Sequence, residues 1–435
     1  MILSLASVSL CVNSPESSQT NSTSVEYKPF ILIGTAYAFP DEDEPTQGRV
    51  LVVECNSGDN EHLKSDSEDD TLTRYVRHVT QMPTRGGVYS ISPFHGGTVL
   101  ITVNSKTHLC RLSMNMSQIG ELAFVGSGHH GHMLSLCVKS LTGPISSAAN
   151  RQTKQLAIVG DLMRSISLVE YLPKHEVIEE IARDYNANFL TSMEMLTNGI
   201  YLGSENFNNL FVLRHNSNAS SEEARVRLDT VGEYHLGEMT NKFMGGSLIM
   251  PNHSGGSTGA LSASRDAKSK LDKAPFEQYR KIDVTTGSQT LFGTVDGTIG
   301  SVLGLDGPTF AFLSTLQRAL VAIIKPVGGL GHQYFRAFQA ERCNRPSRGF
   351  IDGDLVEIFL DLNRPTMEKV VKYMNDDGRW KIRDFGLGLS GDANNQQSLM
   401  DTDDGIENEA QSSSNACLLS VDDVLGAVEE ISMLH

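Results

Sequence analysis

Basic charge is scarce in this chain: 36 Lys and Arg stand against 52 Asp and Glu, a formal net charge of -16 over 435 residues. That balance excludes broad binding to a phosphate backbone, which needs a basic face to release counterions. Cysteine is sparse as well. Its six positions (Cys11, Cys55, Cys110, Cys137, Cys343, Cys417) contain no C-x-x-C pair, so neither a zinc cage nor a dense disulfide framework is indicated and a reducing, intracellular compartment is expected. The apolar N-terminus, Met1 to Val12, lacks a basic start and is far too short to span a bilayer, so it reads as a strand and no membrane partner is expected. What the chain has in quantity is glycine, 39 residues, which points to many turns and many short strands.

Those strands repeat. The unit is a short apolar strand ending in Gly or Asn, a few polar turn residues, and a second apolar strand. It reads Phe30-Ile-Leu-Ile-Gly-Thr-Ala to Arg49-Val-Leu-Val-Val, Thr98-Val-Leu-Ile-Thr-Val-Asn to His108-Leu-Cys-Arg-Leu, and Gln155-Leu-Ala-Ile-Val-Gly-Asp to Ser165-Ile-Ser-Leu-Val. Two further copies run from Ile200 to Leu213 and from Gln289 to Leu303. With Gly34, Asn104, Gly160, Gly203 and Gly293 as anchors the intervals are 70, 56, 43 and 90, and the shortest matches one four-stranded propeller blade. Gly87-Val-Tyr-Ser, His132-Met-Leu-Ser-Leu-Cys-Val, Thr191-Ser-Met-Glu and Gly246-Ser-Leu-Ile-Met supply an upstream strand to the later hairpins. About five blades are visible over residues 25 to 305. The longer intervals hold polar insertions near 56–71, 140–150 and 251–287, whose composition predicts disordered loops.

After about Leu305 the apolar period changes from two to roughly 3.6, which marks a helical domain over 306–435. Pro308 opens a helix that stops at Lys325-Pro326. A second carries Tyr334, Phe335 and Phe338, a third begins near Asp352 with Asp354 and Glu357 as a candidate capping box, and a fourth starts at Pro365 and buries Met367, Val370, Val371 and Met374. The last has Ser420 as N-cap and the stripe Val421, Val424, Leu425, Val428, Ile431. Between the last two lies an acidic stretch, 375–415, read as a flexible insertion. The fold class is therefore mainly β, an incomplete β-propeller followed by a small α-helical C-terminal domain.

Chemistry is hard to find along this chain. Gly255-Gly-Ser-Thr-Gly259 spells a nucleophile elbow, but it lies in a Ser/Gly loop without the flanking strand and helix that an elbow requires. His129-His-Gly-His132 has no carboxylate or thiolate at ligand spacing beside it and reads as a polar turn. In Gly160-Asp-Leu-Met-Arg-Ser165, Asp161 is placed to cap a tight turn and Arg164 to meet a neighbouring carboxylate. No phosphate loop, paired catalytic carboxylates or Ser/His/Asp set emerges, so the sequence calls for no cofactor, no metal and no enzyme activity.

Several strings are more specific than propeller patterning: Gly34-Thr-Ala with Glu44-Pro-Thr-Gln-Gly-Arg49, Val159-Gly-Asp-Leu-Met-Arg-Ser165, Glu180-Ile-Ala-Arg-Asp-Tyr-Asn186, His235-Leu-Gly-Glu-Met-Thr-Asn241 and Gly349-Phe-Ile-Asp-Gly-Asp-Leu-Val-Glu357. Together they resemble the C-terminal part of the DNA damage-binding protein 1 family, from the first strand to His435. The resemblance implies the family's third, seven-bladed propeller, N-terminally truncated to about five blades, and its helical domain. It implies a non-enzymatic adaptor of the cullin-4 RING ubiquitin ligase, nuclear and also cytoplasmic, active in DNA repair and protein turnover. The partners implied are substrate receptors, which insert a helical segment into a propeller cleft, and the UV-damage-recognition subunit. Cullin-4 itself would need a middle propeller that this chain does not contain, and association with DNA would be weak or indirect. Carried over residue by residue, the receptor contacts are Tyr89, Ser90, Leu134, Leu136, Cys137, Leu162, Ile166, Phe189, Met239, Asn241 and Val295. Three depart in kind, since the family usually has tyrosine at Cys137, tryptophan at Phe189 and phenylalanine at Met239, which implies a wider apolar pocket. Two relatives share this organisation, the large cleavage and polyadenylation specificity subunit and the splicing factor three-b propeller subunit, so an RNA-processing scaffold is the alternative.

Overall fold

The computed structural model describes residues 1–11, 27–57, 74–114, 120–140, 154–197, 199–248, 289–342, 344–381 and 418–433. The loops expected near 56–71, 140–150 and 251–287, and the Gly255–Gly259 string within the last, fall almost wholly outside them. Of the stretch 375–415 only the first residues are described, and these are helical rather than loop.

The strands fall into the expected units. The first sheet is β1 (Ile2–Cys11), β2 (Tyr27–Ala36), β3 (Gly48–Ser57) and β4 (Arg74–Thr84), paired in chain order. The second unit is β5 (Val88–Pro93), β6 (Val99–Val103), β7 (Lys106–Met114) and β8 (Gly120–His130), and the third is β9 (Ser135–Ser140), β10 (Gln155–Asp161), β11 (Ser165–Leu172) and β12 (Val177–Arg183). These two join through their fourth strands into one eight-stranded sheet, at a parallel bridge between Ser127 of β8 and Val177 of β12. Next come β13 (Leu190–Thr197), β14 (Ile200–Glu205), β15 (Asn209–His215), a one-turn α1 (Glu222–Arg225) and β16 (Leu228–His235). A three-stranded sheet of β17 (Thr240–Gly245), β18 (Thr290–Thr294) and β19 (Ile299–Val302) closes the series.

Each sequence anchor sits on or just after the second strand of a unit, where the hairpin turns. Burial alternates with period two along β2, so that Phe30 and Leu32 face one core with Val8 and Leu10 of β1. That core is shared with the second unit through Val88, Val99, Ile101 and Leu112. The second and third units share another, built from Phe94, Leu100, Val138, Val159, Val169 and Ile178. The first strands β1, β5, β9 and β13 lie successively against one another, as the inner strands of propeller blades do. The strand expected at Gly246 begins instead at Thr240: Gly246 has φ 140°, a value that L-residues rarely adopt, and it ends the ladder.

The chain packs as two units, Met1–Val231 with Glu238–Lys242 and Gly232–Gly237 with Phe243–His435. The division falls earlier in the chain than the 305/306 boundary read from periodicity. The second unit holds β18, β19 and the helices α2 (Gly307–Ile323), α3 (His332–Phe335), α4 (Gly353–Glu357), α5 (Arg364–Asp377) and α6 (Val421–Ser432). Its core joins Leu313, Leu316 and Leu320 of α2 to Val356, Phe359, the four expected apolar residues of α5, Trp380 and the α6 stripe. Asp306, Asn363 and Ser420 cap α2, α5 and α6 through their side chains. The helix expected around Tyr334 to Phe338 is a single turn, and Phe338 lies beyond it in a bridge to Arg345. The capping box expected at α4 is absent: its N-cap is Asp352, which makes no side-chain cap because Arg336 and His332 hold its carboxylate.

Candidate functional site

Ten of the eleven residues carried over as partner contacts lie in the first unit, and nine of these keep some exposed surface. The β10–β11 hairpin shows how they are presented. Asp161, fully buried, accepts from the amides of Met163 (2.9 Å) and Arg164 (3.1 Å) on one oxygen and from Met133 N on the other (2.6 Å). One carboxylate thus shapes its own turn and ties it to the connection ahead of β9, as expected of a capping aspartate. Arg164 differs from expectation, donating through Nη1 to the carbonyl of Gly131 at 3.0 Å rather than to a carboxylate. At the tip Leu162 is 38% exposed, and its amide donates to Leu134 O at 2.9 Å.

The same register brings the neighbours together. Cys137 of β9 pairs with Gly160 of β10, and a Cβ at Gly160 would run into Cys137 Sγ and the side chains of Leu190 and Met193. Glycine is required there by that close approach. Burial pushes the Cys137 thiol up to about 12, which keeps it protonated and an apolar wall rather than a nucleophile. Ser90 Oγ accepts from Val138 N at 3.2 Å, joining β5 to β9. One residue before it, Tyr89 is half-buried, and its phenol is raised by burial and by nearby Glu44. Asn104, at φ 48° in the β6–β7 turn, fixes this edge by accepting from Gly87 N (2.8 Å) and donating to Pro45 O (2.9 Å). Leu136, Phe189 and Met239 are half-buried and Asn241 is exposed.

Two of the carried-over residues stand apart. Ile166 has no exposed surface, so the side chain is core and is corrected from a partner contact to a packing residue. Val295, on the β18–β19 turn, is 59% exposed but belongs to the second unit. Sequence reasoning also missed Met133 and Met163, both well exposed beside Leu134 and Leu162. Their signal was two apolar residues in turns otherwise built of polar ones.

The specific sequence strings largely build internal clamps. Asp184 accepts from Ser165 Oγ (2.7 Å), Asn186 N (3.0 Å) and Asn186 Nδ2 (2.8 Å), while burial raises its carboxyl. In the second unit Arg336 donates to Leu236 O (3.0 Å) and Asp352 (2.7 Å) and lies over the rings of Tyr234 and Phe335. Glu233 meets Arg345 at 2.7 Å and Arg348 at 2.8 Å. These arrangements hold strands and turns in place within each unit, and the first unit carries an apolar patch in which Leu162 and Met163 are exposed and Leu134, Leu136 and Phe189 half-buried.

The model of the family described as CPSF A subunit region matches residues 1–361. The chain is 36% identical over 346 residues to DNA damage-binding protein 1b and 38% identical over 347 to DNA damage-binding protein 1a of Arabidopsis thaliana, and 37% identical over 346 to DNA damage-binding protein 1 of Oryza sativa subsp. japonica. Each match covers 79–80% of this chain but only 26–27% of the relative, so the chain spans about a quarter of the length of these proteins.

Proposed function

Because the chain belongs to the family of the CPSF A subunit region, we propose that it is a non-catalytic scaffold module of a cullin-4 RING ubiquitin ligase adaptor, binding substrate receptors through the first-unit patch. The observation that carries this reading is the patch itself: apolar side chains kept at the surface by a hairpin whose buried Asp161 is fully engaged in backbone hydrogen bonds. Its occupant is an amphipathic helical segment of a receptor, which buries such anchors at i, i+3 and i+4 spacing. Cys137, Phe189 and Met239 are smaller than the aromatic residues the resemblance led us to expect, and they suit a bulkier receptor anchor. A nuclear location, with the UV-damage-recognition subunit among the partners, goes with this role.

The experiment is affinity capture with the chain as bait, followed by titration of a recovered receptor's helical segment. Leu162→Asp should weaken that binding about tenfold or more, since a buried apolar anchor becomes a desolvated charge. Ile166→Val is the control, expected to cost about 0.5–1.5 kcal/mol of stability with affinity unchanged. Exclusive recovery of polyadenylation or splicing partners would overturn the ligase reading in favour of the RNA-processing scaffold.

A further inference from the structure

His129 lies one residue before the end of β8, His132 in the connection to β9, and Glu180 on β12, some fifty residues further along the chain. The fold brings one ligand atom of each to within 4.8 Å of the others. His129 Nε2 and Glu180 Oε2 are 3.4 Å apart, and His129 Nε2 has no hydrogen bond. The His132 side chain is the more telling. The residue is only 7% exposed, yet neither ring nitrogen has a hydrogen-bond partner. A buried imidazole with both nitrogens idle costs roughly 1–3 kcal/mol for each unsatisfied polar group, and a bound cation would remove part of that cost.

We propose that His129, His132 and Glu180 form a binding site for a divalent transition metal of the zinc class, which clips the outer strands of the second and third four-stranded units. Two imidazoles and a carboxylate are a donor set that zinc accepts, with the fourth position left to water. Bonds of about 2.0–2.2 Å at a tetrahedral angle separate two ligand atoms by about 3.4 Å, the spacing of His129 and Glu180. The nearby charges act in both directions. Arg183 Nη2 donates to Glu180 Oε2 at 2.6 Å, orienting the carboxylate as an outer-shell partner does while also opposing a cation, and the Asp161 carboxylate favours one.

The location gives the site a purpose. β8 and β12 are the fourth strands of neighbouring units and meet at a single parallel pair, Ser127 with Val177, made in part by the bond from Ser127 N to Glu176 O at 3.1 Å. Sparse pairing between outer strands leaves unpaired backbone edges, and a metal held by both strands would fasten them.

The test uses the whole chain washed with a chelator and titrated with zinc or cobalt(II) chloride by calorimetry and visible absorption. One equivalent should bind, cobalt should give the bands of a four-coordinate ion, and Tm should rise because the ion favours the folded state. His132→Ala and the near-isosteric Glu180→Gln should each weaken binding by about tenfold or more, since even outer-shell changes around a metal cost that much. His175→Ala, an exposed histidine on the same connection as Glu176, should leave it unchanged. Absence of binding by the washed chain, or binding unaffected by both ligand variants, would overturn the site.

Discussion

Gly126 shows how much one residue can hold in place. It lies in β8 at φ 61°, and a Cβ there would collide with the backbone carbonyl and Cβ of Glu176. Backbone cannot swing aside as a side-chain tip can, so Gly126→Ala should destabilise the chain by about 1–3 kcal/mol, read as a lower urea midpoint, and more than Gly160→Ala, where the obstacles are side chains. Asp352 makes a second case, in which charge decides. Burial raises its carboxyl, but hydrogen bonds from His332 (2.8 Å) and Arg336 (2.7 Å) outweigh that and hold it at about 2. An unfolded aspartate titrates near 3.9, so the folded value is depressed. The stabilisation is complete above about pH 4 and is lost as pH falls toward 2, and the gap between the two values sets it at about 2–3 kcal/mol. Asp352→Asn should therefore lose stability at neutral pH, and the deficit against the unsubstituted chain should shrink on acidification. An equal deficit at neutral and low pH would contradict this.

Among whole elements, the helices were the most legible in the sequence because their signals are local. Ser420 caps α6 by accepting from Asp423 N (3.2 Å), while Asp423 accepts from Ser420 N (3.0 Å) in return. Ser420→Ala should cost about 1 kcal/mol, measured as a fall in thermal stability with the rest of the fold unchanged. The hairpins were legible for the same reason: two apolar strands around a Gly or Asn turn need no knowledge of what lies beyond. What escaped the sequence depends on residues far apart in it. The capping box read at Asp354 and Glu357 failed because α4 starts earlier, at Gly353 with Asp352 as its N-cap, and the Asp352 carboxylate is taken by Arg336 and His332, both well upstream. Ile166 was placed on the surface because it adjoins Leu162 in a specific string, yet the turn between them sends one outward and the other into the core. Glu180 could not be matched to His129 and His132 by spacing, since it is the β8–β12 pairing that brings it near. The start of β17 was missed because Gly246 looks like the opening of a strand when its φ makes it the end of one.

Over the molecule as a whole, charge and name point in different directions. The relatives are called DNA damage-binding proteins, while this chain carries a formal net charge of -16. Affinity for duplex DNA rests largely on Lys and Arg neutralising phosphates. Several cations of the described residues are already paired with carboxylates: Arg336 with Asp352, Arg345 and Arg348 with Glu233, Arg183 with Glu180, and Lys139 with Glu194 at 2.7 Å. An arginine held against a carboxylate contributes little to a phosphate, because leaving its partner exposes that carboxylate as well. Fluorescence anisotropy of a labelled damaged duplex at physiological salt should accordingly show no saturable complex with this chain below about micromolar concentration. Lowering the salt should bring only weak association, because like charge dominates at long range once screening is relaxed. A tight, steeply salt-dependent complex would show that the pairing of cations with neighbouring carboxylates does not govern this surface and that the chain meets DNA directly.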